Sequence, residues 1–351
     1  MKSIKGIYSN IRSMYDPLYL TECYCREDLK RKLQAIAIKP ISSNSKRKIK
    51  ELWGKSSPWF DYYNSVGDSN RVHLYFPEPW YFKHIDASLN NWTVCRAIDD
   101  KCLYDYFFYD IRRPRTVLKI CNGMYLDASS RILTLAEAAA TCHAVGRVII
   151  KPSVGSSGGE GILFWDENNG IDIESVLRDS KDEVVQEVIG QHATLDQIHT
   201  GSINTIRILT LTTENGVKVI SSILRAGVGK AKVDNFSRGG VAFGIDSEGK
   251  LKEKGWSILG ISHNGHPDGA KTLGVQLPGY FDCVDICKAA APRFARFSRL
   301  ISWDFAIDPD SKPFLVEANL NHGGISTHQI CNGPIFGDEE TTRYMIKKFV
   351  K

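Results

Sequence analysis

Ser302-Trp-Asp-Phe-Ala-Ile-Asp-Pro-Asp-Ser-Lys-Pro-Phe-Leu-Val-Glu-Ala-Asn319 reads as two short strands joined by a polar turn. A turn centred between Asp310 and Ser311 sets Asp304 directly opposite Glu317, and Ser302 opposite Asn319. Side chains alternate along a strand, so Asp304, Glu317 and Asn319 share one face. Trp303, Phe305, Phe314 and Val316 are then expected on the other face, against a core. Two carboxylates facing each other repel. A hard divalent cation removes that conflict, and Mg2+ takes oxygen ligands of this kind together with nucleotide phosphates. A solvated polar face is the plainer alternative; three oxygen-bearing side chains in one register favour the metal.

Two further groups lie upstream. Lys151-Pro-Ser-Val-Gly-Ser-Ser-Gly-Gly-Glu-Gly161 is a Gly/Ser-rich loop between two expected strands. Its glycines let backbone N–H groups approach a phosphate, its serines add donors, and Lys151 adds a positive charge. No Gly-Lys-Ser/Thr opens a helix here and no GxGxxG occurs, which excludes the Walker A loop and the dinucleotide fingerprint. Alone, the motif is equally a flexible hairpin loop. Between the loop and the strand pair come Arg207, Arg225, Lys230 and Lys232, then Asn235, Ser237, Gly239 and Gly240. Arginine forks suit phosphate or carboxylate, and phosphoryl transfer needs positioned cations. The plain alternative is a set of surface charges, but Arg207 sits among apolar neighbours.

The rest of the chain frames these groups. Helices are expected over residues 28–38, 45–53, 97–109, 134–145 and 284–300, the last with a kink at Pro292. Thr134 with Glu137 has capping-box spacing. Strands are expected over residues 116–120, 147–151, 162–165, 205–211 and 217–224, the last two joined through Glu214-Asn215-Gly216. The aromatic residues from Trp59 to Trp92 are expected to bury contact area rather than stack on a sugar. A net charge of +5 is too small to argue for nucleic acid. The early basic cluster (Lys30, Arg31, Lys32, Lys39, Lys46, Arg47, Lys48, Lys50) reads as a solvated helical face, with contact to a membrane or anionic glycan carrier as the sharper alternative. Nine cysteines without a CxxC pair fit reduced thiols. Met-Lys-Ser-Ile-Lys opens without an apolar stretch, and no apolar run reaches the ~20 residues of a membrane span. The expected location is cytoplasmic.

In this order, the motifs resemble the ATP-grasp superfamily. Residues 148–161 resemble its small-lid phosphate loop, and Val184-Val185-Gln186-Glu187-Val188-Ile189 resembles its adenine-binding hinge strand. Trp303-Asp304 followed by Leu315-Val316-Glu317-Ala318-Asn319 resembles its metal-binding strand pair, and Asp100-Lys101 resembles the helix before its ATP-binding unit. Asn235-Phe-Ser-Arg-Gly-Gly240, His266-Pro267, Pro278 and Gln329 with Gly333-Pro334 are similar to the sugar-transfer-associated branch. The resemblance covers about residues 97–337.

It implies an α+β fold in which two subdomains clamp ATP, preceded by a partly helical domain. The expected boundaries are 1–110, 111–188 and 189–351. It implies phosphate contacts from Lys119, Lys151, Ser153, Ser156, Ser157, Gly158 and Gly159, with Gln186, Glu187 and Ile189 bordering adenine or ribose. Asp304, Glu317 and Asn319 would hold Mg2+, Arg225 and Arg207 would steady the transferring phosphate, and Asn235, His266 and His322 would face the acceptor. The implied reaction joins a carboxylate to an amine through an acyl phosphate, on a small molecule or glycan; surface-polysaccharide synthesis is the setting. A kinase acting on a sugar or polyol hydroxyl, and a non-catalytic carbohydrate-binding scaffold, are the competing expectations.

Overall fold

The computed structural model describes residues 17–155, 160–229 and 239–350. Two antiparallel sheets organise the chain. The smaller has six strands in the order β3-β2-β1-β6-β4-β5, and the larger has seven in the order β11-β10-β9-β8-β7-β12-β13.

The smaller sheet comprises β1 (Thr116–Cys121), β2 (Met124–Asp127), β3 (Ile132–Leu133), β4 (Arg147–Pro152), β5 (Leu163–Asp166) and β6 (Glu183–Glu187). The helices Leu135–Val145 and Ile173–Asp179 cover it, and Leu118, Ala138, Cys142, Val148, Trp165, Leu177 and Val185 meet in its core. The expected capping box is present: Glu137 N–H donates to Thr134 Oγ1 at 3.2 Å, and Thr134 N–H donates to Glu137 Oε2 at 2.8 Å.

The larger sheet holds β7 (Thr205–Thr213), β8 (Gly216–Ala226), β9 (Val241–Ile245), β10 (Leu251–Ser257), β11 (Ser262–Asn264), β12 (Leu300–Ile307) and β13 (Pro313–Asn319). Both faces are covered. Helices Pro17–Ala35, Ser43–Trp53 and Pro58–Val66 pack with Ser326–Asn332 on one face, where Trp53, Phe60 and Phe76 meet Leu209, Ile223 and Leu300. The opposite face carries the helices Trp92–Ile98 and Tyr280–Ala290, with Phe108, Cys283, Phe294, Trp303 and Phe305 buried together. Residues 17–110 therefore share their cores with this sheet. Most of the aromatic run is core: Trp59, Tyr62, Tyr63, Tyr81 and Phe82 are buried.

Several expected elements shift. The helix expected over 97–109 breaks after Ile98, because the Asp100 carboxylate caps Cys102 N–H and starts a new turn. The helix expected over 284–300 starts at Tyr280 and stops at Ala290; a 3-10 turn that contains Pro292 follows over Ala291–Phe294, and Leu300 already belongs to β12. In the basic cluster, Lys32 is not solvated. It is buried and pairs with Asp28 one helical turn away. All nine cysteines are unbonded thiols. Among the described residues, no helix is long and apolar enough to cross a membrane.

Candidate active site

A cleft of ≈ 1060 Å3 is lined by both sheets and by the N-terminal helices. One wall is a row of residues running across the larger sheet. Glu317 on β13 pairs with Asp304 on β12, Asp304 with Arg207 on β7, and Arg207 with Ile223 on β8. Residues directly opposite in neighbouring strands share a face, so all four look into the cleft. Arg225, two residues beyond Ile223, joins them.

The expected pairing of Asp304 with Glu317 and Ser302 with Asn319 is present. Beyond it the register slips by one, because Phe305 pairs with Leu315 and Val316 is the extra residue of a bulge. The expected core face is corrected accordingly. Leu315 and Ala318 enter the core opposite Phe305 and Trp303, whereas Val316 lines the cleft. Phe314 lies beneath the Arg112 guanidinium instead.

The chain itself supplies the cations that oppose the two carboxylates. Arg207 donates to Asp304 from Nε at 2.7 Å and from Nη2 at 2.6 Å, and Arg225 Nη2 donates to it at 3.3 Å. Arg225 also holds Thr205 Oγ1, at 3.1 and 2.9 Å. Burial raises the Asp304 pKa, but Arg207 and then Arg225 outweigh it and hold the carboxyl below its ordinary range. Glu317 pairs with Lys101 Nζ at 3.0 Å. An ionised carboxylate has about four lone-pair directions, so these contacts leave acceptor sites on both acids. Asn319 Nδ2 donates to Ser302 O at 3.3 Å, which leaves its amide oxygen as a third hard donor. Two carboxylates and an amide oxygen on one face are a donor set that fits Mg2+.

The opposite wall belongs to the smaller sheet. Lys151, at the end of β4, is buried, and burial aided by the nearby Lys101 charge pushes its pKa down to about 8. Lys101 is tied to the segment that follows β4, since its N–H donates to Ser153 O at 2.9 Å. Gln186, Glu187, Val188 and Ile189 also line the cleft. Gln186 Nε2 donates to Pro114 O at 3.4 Å, while its Oε1 is buried without a partner. The strand pairing of β6 ends at Glu187, so the backbone of 188–190 is outside the sheet. An orphaned acceptor beside unpaired backbone suits the amino edge of a purine.

Not every expected residue is here. Lys119 shares a face with Lys151 through their common neighbour Val184, but its ammonium pairs with Asp105 at 3.0 Å and it is not among the residues that line the cleft. Ser153 is buried behind the cleft, with its N–H donating to Asp182 O at 2.9 Å. His266 is also outside the lining. Its Nε2 bonds Gly227 O at 2.8 Å and its Nδ1 accepts from Asp268 N–H at 3.1 Å, so both ring nitrogens are used. With His199 and Asp268 it clamps the segment around Gly229. Ser156, Ser157, Gly158, Gly159, Lys230, Lys232, Asn235 and Ser237 lie outside the described residues.

His322 does line the cleft, with φ of 52° and its ring 3.9 Å from that of Trp92. Asp86, raised to about 7 by burial, accepts His322 N–H at 3.3 Å and Trp92 Nε1–H at 2.5 Å. Burial, with Arg96 nearby, pushes the His322 ring down to about 4. Besides Lys101, sequence reasoning missed Asp99, raised to about 6 by burial and by Glu317, and His328 on the helix Ser326–Asn332. Asp100-Lys101 did stand out in the sequence; His328 has no local signal.

Two antiparallel sheets of an α+β chain, with a charged cleft between them, define an ATP-grasp protein. The chain belongs to the sugar-transfer associated ATP-grasp family, whose model matches residues 84–340. Similar solved structures include the L-amino acid ligase from Bacillus licheniformis, with a TM-score of 0.41 and 14% identity over 75% of this chain and 49% of that one. The ATP-grasp ligase PsnB complexed with minimal precursor has a TM-score of 0.40 and 13% identity over 74% of this chain and 64% of its own. The biotin carboxylase domain of the Hydrogenobacter thermophilus 2-oxoglutarate carboxylase, in complex with MgADP and bicarbonate, has a TM-score of 0.42 and 13% identity, covering 73% and 46%. This chain thus spans about half the length of the first of these and under two thirds of the second. No curated protein sequence matches it.

Proposed function

We propose that the protein is an ADP-forming carboxylate–amine ligase whose substrate is a uronic acid or amino acid of bacterial surface-polysaccharide synthesis. The observation that carries this reading is the charge row Glu317–Asp304–Arg207, with Arg225, in the same cleft as Lys101 and Lys151. The sugar setting is supported only by the family's association with sugar transfer.

In this reading Lys101 and Lys151 bind the phosphates of ATP, and Gln186 with the 188–190 backbone orients the base. A substrate carboxylate oxygen attacks the γ-phosphorus; the bond to the β–γ bridging oxygen breaks and ADP leaves. An amine nitrogen then adds to the acyl carbon, loses a proton, and phosphate departs, leaving an amide. Arg207 and Arg225 stabilise the charge that collects on the transferring phosphoryl group and acyl oxygen. Mg2+ on Asp304, Glu317 and Asn319 would neutralise phosphate charge during transfer. The substrate carboxylate is itself the nucleophile, and no cysteine lines the cleft among the described residues.

The test is ADP release from Mg-ATP with uronic acids and amino acids supplied singly and in pairs, with a Glu317→Gln control. Turnover that needs both an acid and an amine, and falls by about 10²-fold or more in the variant, is expected. A phosphorylated hydroxyl product would make the protein a kinase instead, and nucleotide binding without turnover on any acceptor would favour a scaffold.

A further inference from the structure

We propose that His328 binds an anionic oxygen of the acceptor, a carboxylate or the acyl phosphate made from it, by donating a hydrogen bond from Nε2. The identity of that oxyanion rests on the ligase reading; the anion site itself rests on the geometry around the ring.

His328 is 1% exposed, yet it lines the cleft. Its Nδ1 lies 2.9 Å from Ser221 Oγ on β8. That hydroxyl already accepts from Asn332 Nδ2 at 2.9 Å, and the same amide donates to Ser222 O at 2.8 Å. Among the described residues Ser221 Oγ has no hydrogen-bond partner besides Asn332 Nδ2 and His328 Nδ1, so Nδ1 is the one acceptor for the hydroxyl's own hydrogen. Nδ1 is then the acceptor, and the proton of the neutral ring sits on Nε2. Nε2 is buried and has no hydrogen-bond partner. A buried donor left unsatisfied is rare, and in a cleft it marks the place of a ligand acceptor.

The surrounding charge selects what that acceptor is. Arg207 and Arg225 both act on the ring, with Asp304 between them. Two guanidinium groups and an N–H donor, opposed by one carboxylate, form a site for an anion. Burial, then Arg207 and Arg225, hold the ring pKa down to about 3, while Asp304 works against them. The imidazole therefore donates as a neutral group and adds no further charge to a site already rich in cations. Neutral imidazole serves this purpose wherever an oxygen gains charge and the donor must stay protonated.

The test uses the full chain as wild type, His328→Gln and His328→Asn. Glutamine places an amide nitrogen where Nε2 stood. Asparagine reaches only the Nδ1 position, so it keeps the Ser221 contact but loses the donor in the cleft. Inorganic phosphate is titrated calorimetrically into each MgADP complex, and unfolding temperatures show that each variant is folded. Phosphate affinity is expected to fall about 10- to 100-fold in H328N and to stay within about threefold of wild type in H328Q. In a 15N-histidine spectrum, one ring with a protonated Nε2 and a bare Nδ1 should vanish in both variants and shift when phosphate binds the wild type. Equal binding by H328N and wild type, an H328Q as weak as H328N, or a wild type that binds MgADP but no phosphate would overturn the proposal. If a variant unfolds, the wild-type ring signal decides, and no shift with phosphate overturns it. Should MgADP fail to bind wild type, the ATP reading falls, and the same titration of nucleotide-free protein decides the role of His328.

Discussion

Lys151 and Lys101 show what a single residue contributes before any ligand arrives. Both are buried, and they face the same cleft. Among the described residues, Lys101 pairs with a carboxylate there, Glu317, and Lys151 does not. Burial and the Lys101 charge bring the Lys151 ammonium down to about 8 from 10.5. Between those two values the unfolded chain holds a proton that the folded one has lost. Lys151 therefore destabilises the fold fully below pH 8, and the penalty fades as pH rises toward 10.5. Phosphate reverses the preference by favouring the charged form. Nucleotide affinity should be flat below pH 8 and fall as pH rises above it, with proton uptake on binding. Titration calorimetry in two buffers of different ionisation enthalpy checks this. Lys101→Met should move the break to higher pH; an unmoved break would mean that burial alone sets it. The sequence offered Lys151 as a lysine that ends a strand, and the family resemblance added Lys119. What separates Lys119 from Lys101 is a partner from a distant segment, Asp105 for one and Glu317 for the other. No local pattern encodes that choice.

At the scale of elements, β12 and β13 were legible from their alternation, which sets Glu317 and Asn319 on one face, whereas Asp304 joins that face only through the register across the turn. The match at the site has a specific cause. The Asp308 N–H bonds Lys312 O, which centres the turn on Asp310, half a residue before the expected position. The extra residue at Val316 restores the expected pairing from Asp304 onward. Between turn and bulge the faces are exchanged, and a bulge leaves no mark in composition. The helix Leu135–Val145 is the converse case, since its boundary was written in Thr134 and Glu137. Thr134→Ala removes one half of the box and exposes the Glu137 N–H. It should cost about 1 kcal/mol of stability, read as a lower urea midpoint with unchanged slope. No change would mean that the Glu137 side chain alone holds the helix start.

At the scale of the molecule, the N-terminal helices belong to the site as well as to the core. Tyr24, Asp28, Lys32, Glu78 and Phe82 all line the cleft. Glu78 accepts Ile325 N–H at 2.9 Å and Ser326 N–H at 3.1 Å, and so fixes the start of the helix that carries His328. Its carboxyl lies so close to Gly324 that a Cβ there would meet Oε1 at 2.9 Å. Lys32 is the cation of this group; it pairs with Asp28, and its charge partly offsets the burial that raises the Glu78 pKa. In the sequence Lys32 was indistinguishable from its solvated basic neighbours, because only the packing of the helix Pro17–Ala35 on Trp59 and Tyr62 separates them. Lys32→Met keeps the apolar stem and deletes the charge. Two buried carboxylates then lack their ammonium, and the fold should lose about 3 kcal/mol near neutral pH. The sign of the pH dependence follows from Glu78. Its folded pKa lies above the ordinary 4.5 and rises further without Lys32. Between the unfolded and folded values the native state binds the extra proton, so stability falls as pH rises through that window. The deficit of the variant should therefore shrink on acidification from about pH 7.5 to about pH 5. Urea unfolding of both proteins across that range is the measurement. A deficit that stays constant with pH would mean that the loss comes from how the methionine side chain fits against Trp59 and Tyr62, and not from the missing charge.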